Sequence, residues 1–386
     1  MGNGTYNLNA GILSAKNEYL GGSSGTGTFT QTGGTNTVAN DLYLSHGSLS
    51  GGSGIYTQSG GTNTVGNKLY LGSFTSDSSG SYNLSGGSLS SGYETIGLVG
   101  TATFTQSGGI NAVSGSLYVG SSSAGGGTYN LSFGSLSTNY EAIGLYSRTG
   151  VFTQSGGTHT VTSKLYIGYS SPSSSGTYSI SSGSLNVRSF YIGYHSRGTL
   201  HITDPAANIT VSNLLSFGTD STFTAVPGAT IHMTGSALEN ISPDPDNLAG
   251  LSNLELVFEG GSTDIDPFEV AGQDLGAVMA GFDSNFALGT LTLGGTDIGQ
   301  VQLIDSFDNQ TGWEGSEALY VYNLNLGTGS YLDLNGLNLY YLNGSIDPAA
   351  TILGGQLTPI PEPSTLILLG AGLVGLVGLR KKRLAN

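Results

Sequence analysis

No cysteine occurs in the 386 residues, which excludes disulfides, zinc–thiolate centres and cysteine nucleophiles. Charge is nearly as scarce. Asp, Glu, Lys and Arg make up 9% of the chain, against about 25% in ordinary proteins. That poverty argues against a coiled coil or a charge-rich disordered chain, and it leaves few groups for acid–base chemistry. Basic residues are the rarest: 10 Lys and Arg stand against 25 Asp and Glu, and residues 201–379 contain none. Without a basic surface outside the extreme C-terminus, a nucleic acid is not expected as a partner. What the chain does have is glycine, 65 residues of it, and a repeat.

Segment 28–38 reads TFTQTGGTNTV, 55–65 IYTQSGGTNTV, 103–113 TFTQSGGINAV and 151–161 VFTQSGGTHTV. A second type interleaves: TYNLNAGIL at 5–13, SYNLSGGSL at 81–89, TYNLSFGSL at 128–136 and TYSISSGSL at 177–185. The leading rings, from Tyr6 to Tyr178, are spaced by 22 to 27 residues. Each unit holds three short alternating stretches, such as 103–106, 110–113 and 117–119, parted by Gly or Ser turns. Period-2 alternation with β-branched and aromatic residues indicates strands, and Gly-Gly between them indicates tight turns. One such unit cannot bury its own apolar face, so the units are expected to stack as coils of an all-β parallel solenoid.

Aligned on the ring, two columns switch together. The residue two places on runs Leu8, Gln31, Gln58, Leu84, Gln106, Leu131, Gln154, Ile180; the residue seven places on runs Leu13, Asn36, Asn63, Leu89, Asn111, Leu136, His159, Leu185. Equal strand parity predicts that both face inward, with each Gln meeting the Asn of its own coil or the amides stacking into ladders. His159 is read as a member of that network rather than a metal ligand. A third column (Tyr19, Tyr43, Tyr70, Tyr118, Tyr166, Tyr191) has the opposite parity and should form an outward stripe. Such a stripe could stack on sugar rings, or it could be a ladder that only stabilises the sheet. Thr-x-Thr steps (Thr35/Thr37, Thr62/Thr64) resemble the threonine rows of ice-binding solenoids, but the step Ile110/Ala112 breaks the row.

Residues 1–204 are thus expected to form the array and 205–357 an acidic β-rich continuation or cap, with one short helix near 273–281. No catalytic site is expected. Glu94 and Glu141 share one repeat position, which suggests a structural corner. The G-x-S-x-G match at Gly21-Gly22-Ser23-Ser24-Gly25 is a product of composition. Arg188, Arg197, His195 and His201 form the one modest cluster, the place to look if the chain were a polysaccharide lyase or hydrolase. No metal site is expected either. Calcium is the single cofactor considered, through Asp244, Asp246, Asp264, Asp266 and Asp305.

At the C-terminus, Pro361-Glu362-Pro363 precedes an uncharged run and then Arg380-Lys381-Lys382-Arg383. The 16 residues of 364–379 would make about 24 Å of helix, just under the usual span of a membrane. The basic end would stay in the cytoplasm. Residues 358–386 resemble the PEP-CTERM sorting signal of bacteria. The resemblance implies export across the inner membrane, transient anchoring there by one C-terminal transmembrane helix, and recognition by an exosortase. It also implies a place at the cell surface or outside it, often among exopolysaccharide. More loosely, the Thr-Gln-Ser-Gly-Gly coils resemble the repeats of autotransporter passenger proteins. The expected role is that of a non-enzymatic structural or adhesin-like matrix protein, with glycan binding by the tyrosine column as the alternative. Met1 stands inside a repeat with no apolar leader after it, which suggests a fragment or a start set too far downstream.

Overall fold

The computed structural model describes residues 2–22, 24–46, 51–73, 75–122, 125–146, 149–261, 265–310 and 312–361. They form a parallel β-solenoid of about fourteen turns. The ring column is in register from one turn to the next: Tyr6, Phe29, Tyr56, Tyr82, Phe104, Tyr129, Phe152 and Tyr178 each pair with the following one, and the ladder continues to Leu200 and Phe223. Coils are numbered below by these rings, Tyr6 marking coil 1.

Three strands make a coil; in coil 2 they are Thr26–Gln31, Thr35–Val38 and Leu42–Leu44. In coils 5 to 8 they run together into single bent strands such as Thr101–Val119 and Gly127–Leu145. Alternation sends every second side chain inward. Phe104, Gln106, Asn111, Val113, Leu117 and Val119 are all buried within one coil. Their neighbours Thr103, Thr105, Ala112 and Tyr118 keep partial exposure. Stacking the inward columns yields one continuous apolar core from Leu8 to Leu339. The inner rings lie nearly flat on one another, with centroids 4.5–4.9 Å apart from Phe29 to Tyr178.

Residues 205–357 continue this array rather than forming a separate cap. Ala207–Phe217 pairs with Ala229–Met233 and Ala237–Asn240, and parallel ladders run on to Gln356–Pro359. The repeat fades in the sequence because the coils lengthen. Leu256 pairs with Leu291, and Leu291 with Leu324, so the spacing rises to 35 and 33 residues. One expectation needs correction here. In place of a helix at 273–281 there is a 3-10 turn, Met279–Phe282, and a second 3-10 segment lies at Pro245–Asn253. Across 331–342 the chain makes two strands. Asn335 and Gly336 both take positive φ and turn the chain between Tyr331–Asp333 and Asn338–Ile346. No helix among the described residues is long and apolar enough to cross a membrane. The helix expected at 364–379 lies outside them.

Candidate functional site

The densest chemistry is inside the solenoid. In coil 2, Gln31 does not meet Asn36. Its Oε1 accepts from the hydroxyl of Tyr56 in the next coil at 2.7 Å, and its Nε2 donates to the carbonyls of Gly34 and Thr62. Asn36 donates to Glu18 of the preceding coil, to Asn63 and to the same Tyr56 oxygen. The unit recurs. Tyr129 donates to Gln106 while Asn111 reaches Tyr129 and Glu94. Tyr178 donates to Gln154, and His159 bridges Tyr178 at 2.9 Å and Glu141 at 2.8 Å. Each amide coil is therefore answered by a tyrosine in the next one. Rings that follow a leucine coil (Phe29, Phe104, Phe152) need no hydroxyl and have none.

Glu94 and Glu141 correct the reading of a structural corner: both are fully buried, on the inward column shared with Leu69, Leu117 and Leu165. Burial pushes the Glu94 carboxyl up to about 7, against the opposing hydrogen bonds from Asn111 and Ser91. Two acids of the C-terminal half behave alike. Burial raises Glu269 to about 7 and Glu317 to about 8, despite N–H donors from Phe307 and Ser306 to the first and Asn309 to the second, and Asp305 adds to both. Glu259 moves the other way, because Thr296 and His232 outweigh its desolvation.

A carboxyl raised on folding holds its proton more tightly in the native state. Its stabilisation is complete below the ordinary carboxylate pKa and is lost as pH rises through the folded value. We therefore expect stability to fall between about pH 5 and pH 8, with Glu94 alone contributing about 3 kcal/mol. Urea midpoints at the two pH values check this. Glu94→Gln should flatten the decline, and an unchanged slope in that variant would refute the assignment.

Outside, the tyrosine column divides. Tyr19, Tyr43 and Tyr70 stack face to face at 5.1 Å, with planes 4° and 14° apart. Thr95 and Ala142 then break the run, both of them buried. Tyr118, Tyr166 and Tyr191 belong to a second cluster, roofed by Tyr140, Tyr169 and Tyr194, in which Tyr166 is only 6% exposed. Lys164 lies 5.6 Å from the Tyr191 ring. Rings in such a ladder take up each other's faces, so a sugar could stack only at an end, as on the half-exposed Tyr19, and elsewhere would meet ring edges.

The remaining candidates are spread out. Arg188 follows a second strand, Arg197 opens the next first strand opposite Ser175, His201 bonds Thr224 and His195 packs on Tyr194. Asp244 caps the 3-10 turn through Asp246 N, Asp246 accepts from Ser284, Asp266 sits in a strand opposite Val301 and Asp305 faces the Glu317 N–H. Asp264 lies outside the described residues. Among the described residues no three His, Asp or Glu side chains converge as a metal group. The buried Glu269 and Glu317 escaped the sequence reading, because the lengthened coils hide their inward parity.

Fold and faces define an all-β repeat protein, a parallel solenoid with a polar spine. Residues 359–383 match the family model of the PEP-CTERM protein-sorting motif. The chain is thus a solenoid protein carrying a PEP-CTERM sorting motif, which implies export and indicates exosortase-dependent sorting to the cell surface or beyond. Of the motif, Pro361 is described, whereas Glu362, Pro363 and the cluster Arg380, Lys381, Lys382 and Arg383 lie outside the described residues. Searches among curated proteins and among solved structures found no match.

Proposed function

We propose that the exported chain is a non-catalytic structural or adhesin-like component of the extracellular matrix, held among exopolysaccharide after its tail is processed. Before processing, residues 364–379 would anchor it transiently in the inner membrane. The observation that carries this reading is the in-register repetition of outer faces along the solenoid, on a chain bearing a surface-sorting motif. A long body with repeated faces makes many equivalent weak contacts, and their sum exceeds any single one. The absence of catalysis is supported by the placement of the acids: Glu94 and Glu141 are sealed in the core, away from any substrate. The experiment is matrix extraction from cells with and without exosortase. The chain should reach the matrix only with the enzyme, and its deletion should weaken matrix cohesion while polysaccharide chain length stays the same. Longer polymers in the deletion strain would point to a degrading enzyme instead.

A further inference from the structure

We infer that the first-strand face of coils 3 to 7 binds an uncharged polysaccharide lying along the solenoid axis. This rests on the matrix reading above and names the component contacted. A groove of about 450 Å³ crosses these five coils, lined by Ser53, Ser81, Thr101, Thr103, Thr128 and Thr149. Its lining contains no Asp, Glu, Lys or Arg. Hydroxyls both donate and accept, which matches the hydroxyls of a sugar. The threonine methyls, with Ile55 and Val151 at the same register positions, offer apolar surface to the C–H faces of the rings. Parallel stacking repeats these groups about every 4.8 Å, so a polymer meets a similar donor set at successive coils. Charge decides the class of polymer. An acidic polysaccharide finds no cation in the groove to offset the loss of water from its carboxylates, whereas a neutral one needs none.

The second-strand face differs, because its hydroxyls bond one another from coil to coil, Ser88 to Thr62 and Ser90 to Thr64. Native gels of the full chain in mild detergent, cast with a neutral β-glucan, a galactomannan or alginate, make the test. At least one neutral polymer should retard the protein, equally at low and high salt, and alginate should not. Thr103→Glu with Thr128→Glu should weaken retardation about tenfold or more, since a charge in the groove would be desolvated by the ligand. The shape-preserving pair Thr103→Val and Thr128→Val should weaken it severalfold, and Thr160→Glu on the second-strand face should leave it unchanged. Retardation by alginate alone, by no neutral polymer, or with equal strength in the groove variants overturns the inference. If the wild-type chain still fractionates with the matrix in that case, the matrix reading survives; if it does not, that reading fails independently.

Discussion

Alanine at Gly127 is expected to destabilise the protein by about 4 kcal/mol or more, while alanine at the adjacent Gly126 stays within about 0.5 kcal/mol of the wild type. A Cβ at Gly127 would stand 2.1 Å from the Ile96 carbonyl oxygen and 2.4 Å from the Gly120 nitrogen. Both contacts are backbone, held in ladders by the coils around them, so neither can move aside alone. At Gly126 the nearest atom is the Thr149 oxygen at 3.9 Å, an ordinary contact. The same crowding recurs at Gly150, Gly176 and Gly198, where the corner between third and first strands packs backbone on backbone. Thermal melting and limited proteolysis of the two variants read the difference. Equal stability would mean that the corner is looser than the in-register stack requires.

His159→Leu should cost about 3 kcal/mol or more, because it strands two buried groups together, the Glu141 carboxyl and one side of the Tyr178 hydroxyl. His159→Asn should cost much less, since Asn36, Asn63 and Asn111 already occupy this position in other coils. The stronger test rewrites the coil. Gln154→Leu and His159→Leu, combined with Glu141→Leu and Tyr178→Phe, remove donors and acceptors together and leave this stretch of the spine apolar. The combined variant should return to within about 1 kcal/mol of the wild type, although its single changes do not. Additive losses in denaturant midpoints would show that the polar spine is not a matched set.

Much of this fold can be read from residues 1–200, because a solenoid writes each contact column at a fixed offset. The ring, the Gln/Leu switch and the Asn/Leu switch all lie where parity places them. Partner choice within the core was harder to see. Gln106 answers Tyr129 in the next coil rather than Asn111 in its own, and the clue was the alternation of Tyr and Phe, one coil out of phase with the glutamines. Glu94 and Glu141 share parity with Ile96 and Ile143, yet a carboxylate is expected at the surface, and that expectation outweighed the pattern. Beyond residue 204 the coils vary in length, so the period that makes the columns visible is lost while the pairing persists. The groove on the first-strand face was hidden for a different reason. Serine and threonine occur on every outward column, and only the path of the backbone shows which of them line a concavity.

The most direct test of the whole account is the location of the internally tagged chain, expressed with its upstream genomic sequence in hosts with and without exosortase. The account predicts surface or matrix location that requires both the enzyme and the residues Pro361, Glu362 and Pro363. Retention of the chain in the cytoplasm of the exosortase-bearing host would contradict it.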